Sequence, residues 1–176
     1  MLRTALLGML IVTAALLVLP APTASPPVVA GAAAALIVLP LPYRTSAAQT
    51  NWDLEVTMLN LINNERVAAG LPALMPHATI RSAARAHGRE MFAFGYLSHQ
   101  SRGGLTPQQR VLRRGVRLRL VGENIAYAAD VRKAHEALMA SDAHRLNILM
   151  SGYRLIGIGV IDGGSYGVVV VENFGD

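Results

Sequence analysis

The sequence predicts an α+β domain in which layers of helix cover a β-sheet. Residues 53–69 and 76–95 repeat apolar side chains at helical spacing, whereas residues 156–161 and 167–171 are almost continuously apolar. The first pattern marks amphipathic helices, and the second marks strands buried on both faces. Size agrees, because 176 residues supply one domain with a proper core once a leader is set aside.

That leader is the first element. Residues 4–43 carry no charged side chain and follow Arg3. Residues 5–19 form an apolar run of the length a secretory signal requires, and a proline-rich link leads to a second run over residues 28–41. Each run is shorter than the roughly 20 residues of a spanning helix. Ser46-Ala-Ala48 before Gln49 suits a signal peptidase. The expected organisation is therefore residues 1–48 as signal peptide or N-terminal membrane anchor and residues 49–176 as the domain. Cleavage near Ala48 and retention as an anchor both stay open, as does a start set too early with only the second run serving as signal. Either way the domain is expected outside the cytoplasm, secreted or on the outer face of the membrane. Cysteine is absent, so no disulfide reinforces it and packing alone must suffice.

The first helix is expected over residues 53–69, with Thr50-x-x-Asp53 as a capping box and Gly70 and Pro72 as stops. Leu54, Met58, Leu61 and Ile62 face the core, while Asn60, Asn63 and Arg66 tie the helix to neighbouring loops. Pro76 suits the first turn of a second helix ending near Gly95, which points His87 inward as a hydrogen-bonded core residue. His77 and His135 read as surface or loop residues. Thr106 and Pro107 open a short helix that Gly115 ends. Residues 120–127 follow as a short apolar segment, then a helix over residues 130–140, a loop carrying His144, and two strands joined by a turn at residues 162–165.

All eleven acidic residues lie from Asp53 onward with fourteen of the sixteen basic ones, which leaves the domain about +3. Arg102, Arg110, Arg113, Arg114, Arg117 and Arg119 crowd one segment. They are either a solvated face or a surface for phosphate groups in lipid headgroups or wall polymers. Without interleaved aromatics they do not describe a nucleic-acid site.

His99, Glu123 and His144 come from three different local structures. Imidazole nitrogen and carboxylate oxygen are the usual ligands of a zinc-type ion, so the three are either ligands of a divalent metal, zinc or calcium, or satisfied polar residues of loops. Glu123 lies in an apolar stretch. A buried carboxylate costs several kcal/mol, roughly, unless a metal, an imidazole or another partner compensates it.

At these positions the chain resembles the bacterial branch of the CAP superfamily, which comprises cysteine-rich secretory proteins, antigen 5 and plant pathogenesis-related proteins (SCP-like domains). The matching residues are Ser98-His99, Gly122-Glu-Asn-Ile-Ala126, Ser141-x-x-His-Arg-x-Asn-Ile-Leu149 and Ile156-Gly-Ile-Gly-Val160, with Leu59-Asn60-Leu-Ile-Asn63-x-Glu-Arg66 and Gly70-Leu71 upstream. The resemblance implies a three-layer α-β-α sandwich and a shallow cavity lined by two histidines, here His99 and His144, and acidic residues including Glu123. The family's second cavity glutamate falls at Ala140, so Glu136, one turn earlier, or Glu172, where glutamine is common, are the candidates to replace it.

Three functions follow as expectations: a secreted or surface-attached domain binding a divalent ion and a lipid-like or cell-wall ligand; a metal-assisted extracellular hydrolase of peptidase type using His99, Glu123 and His144; or a structural domain with a non-catalytic His-Glu network. The hydrolase has the least support, since no Ser-His-Asp order, nucleophile elbow or compact zinc-protease helix motif is present.

Overall fold

The computed structural model describes residues 10–11 and 38–176. The chain forms β1 (Leu10–Ile11), β2 (Leu39–Pro40), β3 (Gln49–Thr50), α1 (Trp52–Ala68), β4 (Met75–Pro76), α2 (Ala78–Phe94), β5 (Tyr96–Leu97), α3 (Pro107–Leu112), β6 (Val121–Ala128), α4 (Val131–Ala140), α5 (Asp142–Ile148), β7 (Leu155–Asp162) and β8 (Val168–Gly175). The main sheet runs β1-β6-β8-β7-β3 and is antiparallel, except that β4 lies parallel to β7.

Strand alternation sorts the core into two apolar layers. Ala126, Ile158, Val160 and Val170 meet Met58, Ile62, Leu138 and Ile148 from α1, α4 and α5. Ile125, Tyr127, Ile161, Val169 and Val171 meet Ala84, Met91 and Phe92 from α2. The result is the expected α-β-α sandwich. Two glycines let α2 lie directly on β7: a Cβ at Gly157 would run into the backbone of Ile80 and Arg81, and one at Gly159 would reach 2.6 Å from the Arg85 nitrogen. Ile158, between them, is 4% exposed. Ile158→Val should cost about 0.5–1.5 kcal/mol. Arg114→Ala, on an exposed helix end, should stay within about 0.5 kcal/mol, and urea melts of the pair check the burial assignment.

The helices start for reasons slightly different from those expected. Asn51, not the Thr50 box, caps α1 by accepting a hydrogen bond from Leu54 N–H at 3.2 Å. His77 caps α2, and Pro76 is drawn into β4 beside β7. His135 is buried in α4 at 6% exposure, its Nε2 3.6 Å from Glu65, which corrects its reading as a surface residue. Leu61 is only half-buried, and its neighbour Ile62 takes the core position. The segment after Ser141 is helix α5 rather than a loop, which places His144 on a helix.

Asn63 and Arg66 tie α1 down as expected. Asn63 exchanges two hydrogen bonds with the Leu74 backbone, and the fully buried Arg66 donates to the carbonyls of Pro72, Ile148, Met150 and Tyr153.

Packing begins upstream of Gln49. β2 pairs with β5, Leu41 N–H donates to Gly95 O, and Leu41 and Ala48, each 8% exposed, join the apolar layer under α2. The two-residue β1, inside the first apolar run, pairs with β6 at Tyr127 and Ala126.

Candidate functional site

Glu123 sits in β6 on the face that α2 covers, next to Asn173 of β8 across the ladder. His99 follows β5, and its Nδ1 lies 2.9 Å from Glu123 Oε1. Arg110, one turn into α3, donates from Nη2 to the other carboxylate oxygen. The α3 start explains that reach: Thr106 and Gln109 form a reciprocal capping box with Pro107 at the first position, so Arg110 and Val111 become the buried side of the helix. Arg110 also donates from Nη1 to the carbonyls of His99 at 2.7 Å and Leu105 at 2.8 Å, closing the loop that carries the histidine.

Burial works to raise the Glu123 pKa, but the Arg110 charge and the His99 hydrogen bond overcome it and hold the group below the usual carboxylate range. An ionised carboxylate only accepts, so the proton on His99 resides on Nδ1 and leaves Nε2 as an acceptor in the neutral ring. That Nε2 is buried and has no hydrogen-bond partner among the described residues. Behind it, His87 Nε2 bonds Ser98 O at 2.7 Å, and burial lowers the His87 pKa and keeps it neutral, the core role expected of it.

The next residue, Asn124, points to the opposite face. Its Nδ2 donates to the backbone carbonyl of His144 at 3.1 Å and to Glu172 Oε2 at 3.0 Å, while Asn147 donates to Asn124 Oδ1 at 2.9 Å. His144, in α5, is buried. Glu172 is fully buried too, and burial pushes its pKa up to about 8. Glu136 is exposed and paired with Lys133 at 2.7 Å.

The structure thus brings His99 and Glu123 together and adds Arg110, which residue types had left among an undifferentiated arginine cluster. Among the described residues no group of three His, Cys, Asp or Glu is arranged to hold a metal ion. Both Glu123 oxygens are engaged, one by imidazole and one by guanidinium. What fits a metal is narrower: an imidazole backed by a carboxylate, with its far nitrogen unpartnered, is the arrangement in which a histidine serves as ligand and the carboxylate orients it.

Residues 59–174 match the family described as the cysteine-rich secretory protein family, CAP. The chain is 33% identical over 122 residues to the uncharacterized protein YkwD of Bacillus subtilis, an alignment covering 69% of this chain and 48% of that protein. It therefore spans about half of that relative's length. An extracellular protein containing an SCP domain from Bacillus anthracis superposes with a TM-score of 0.63 at 28% identity, over 70% of this chain and 40% of that one. An outer surface protein of Borrelia burgdorferi superposes with a TM-score of 0.68 over 73% of this chain and 98% of that one, and at 18% identity it speaks for the fold alone.

Proposed function

The chain belongs to the CAP, or cysteine-rich secretory protein, family, and from that premise we propose that it is an extracytoplasmic binding domain, attached at the cell surface, whose ligand-directed group is the imidazole of His99. Similarity to an extracellular protein and the uncharged N-terminal region support the location. The observation that carries the site is the Glu123 carboxylate fixed between His99 and Arg110, with His99 Nε2 left over. His99 is the imidazole offered to a divalent ion, and Glu123 orients it from behind instead of ligating; His144, whose backbone carbonyl meets Asn124 on the other face of the sheet, stays outside the proposed set. When bound, such an ion would polarise or anchor an oxygen of a lipid-like or wall-derived ligand.

This division of labour favours zinc over calcium, because imidazole nitrogen suits zinc whereas calcium is held by oxygens, and those of Glu123 are taken. Calorimetric titration of the full chain should show zinc binding and no calcium binding. His99→Ala should abolish it, and Glu123→Gln should weaken it about 10–100-fold, as loss of a supporting carboxylate does. Calcium binding tighter than zinc would overturn the assignment.

A second reading has its own observation: Arg110 closes the loop onto the sheet through two carbonyls and Glu123, which is what a purely structural network does. No zinc binding by the folded wild type selects it.

A further inference from the structure

Among the described residues, a large cavity lies between the strap over residues 38–48 and the loop after β5. It encloses about 560 Å³ and is lined by Val38, Arg44, Phe94, Tyr96, Gln100 and Arg102 among others. Its chemistry is divided. Arg102 lies over the Phe94 ring at 3.9 Å, and Phe94 and Val38 remain 53% and 52% exposed at the lip. Arg44 and Arg102 are exposed, and among the described residues neither guanidinium has an acidic side-chain partner. The Glu90 carboxylate nearby accepts the Arg102 backbone N–H at 2.8 Å.

Two further facts say what this face meets. The apolar run over residues 28–41 enters the described fold at Val38, so the lip of the cavity is where that uncharged chain arrives. The strap is also part of the fold, since β2 completes a ladder with β5 and Leu41 and Ala48 fill the layer under α2. Cleavage at Ala48 would strip that cover, which argues for keeping residues 38–48.

We propose that this face docks on an anionic phospholipid bilayer, with Arg44 and Arg102 engaging headgroup phosphates and Phe94 and Val38 entering the headgroup layer. The proposal rests on the surface attachment proposed above. Guanidinium groups match phosphate with paired hydrogen bonds, and exposed apolar side chains beside them seat at the interface. Two arginines make the attraction salt-sensitive, so the domain leans on the membrane only where anionic lipid is present.

The test uses the full chain carrying Trp52→Phe and Phe94→Trp, reconstituted into vesicles with bromine-labelled acyl chains. One set is phosphatidylcholine alone, and the other adds phosphatidylglycerol. Emission should drop in the phosphatidylglycerol vesicles, recover at high salt, and stay unquenched when Arg44→Glu and Arg102→Glu are added. The unmodified chain is the internal control. Its one tryptophan, Trp52, has Arg81 stacked on its ring at 4.6 Å. Arg81 lies about 20 Å along α2 from Phe94 at the helical rise, so Trp52 should not be quenched. Equal quenching in both vesicle types, or of Trp52 as well, overturns the docking while leaving the anchorage standing. A mature N-terminus at Gln49 removes Arg44 and overturns docking and anchorage together.

Discussion

Glu123→Ala should destabilise the domain by about 3–5 kcal/mol whether or not zinc is present, because it leaves the Arg110 guanidinium buried without its counter-charge. Arg110 is 5% exposed at its side chain and Glu123 1%, so water cannot replace either partner. The loss has a second part. Without the carboxylate, His99 Nδ1–H has no acceptor, and each such orphan adds about 1–3 kcal/mol. Arg110→Met added to Glu123→Ala should recover part of the loss, since an apolar pair is often tolerated where half an ion pair is not. Denaturant melts of the two single variants and the double variant measure this coupling. A Glu123→Ala protein as stable as wild type in chelator would mean that the carboxylate is not the counter-charge of Arg110.

The sign with pH follows from the same pair. The folded-state pKa of Glu123 lies below its unfolded value, so its contribution is complete above the ordinary carboxylate range and is lost as pH falls through the folded-state value. Acid, not alkali, should loosen the loop over residues 98–106.

The outline of this fold is legible in the sequence where one local rule decides. Apolar spacing locates α1, α2 and two of the three long strands, β7 and β8, and Thr106-Pro107 locates α3, because caps and periodicity act within a few residues. The resemblance singles out His99, Glu123 and His144, of which the fold sets His99 2.9 Å from Glu123. What local rules miss is who neutralises Glu123. Arg110 sits among five other arginines of the same segment, and only its place in the first turn after Pro107 turns it inward, where Arg113 and Arg114 stay exposed. Residues 38–48 have the composition of a leader's tail, yet Leu41 and Ala48 fill space that α2 and β5 leave open, a tertiary fact with no local signature.

Glu172→Gln should stabilise the protein, and the gain should grow with pH. Glu172 is fully buried in β8, receives one hydrogen bond from Asn124 Nδ2, and has a second oxygen with no partner among the described residues. Burial raises its pKa to about 8, against about 4.3 in an unfolded chain. A group whose acid form is favoured by folding binds more protons in the native state, so stability is full below the unfolded value, falls as pH rises through the window between the two values, and levels off above the folded one. Over that window the total is roughly 5 kcal/mol, at 1.36 kcal/mol per pKa unit. Glutamine keeps the shape and an acceptor for Asn124 but carries no proton to lose. Its advantage over wild type should therefore be near zero at pH 4 and several kcal/mol at pH 9, in the range set by that same linkage. Urea melts of both proteins across this range decide the matter: two parallel stability curves would show that Glu172 ionises as easily in the fold as outside it, and that the polar cluster around Asn124 and His144 compensates a charge that its hydrogen bonds do not account for.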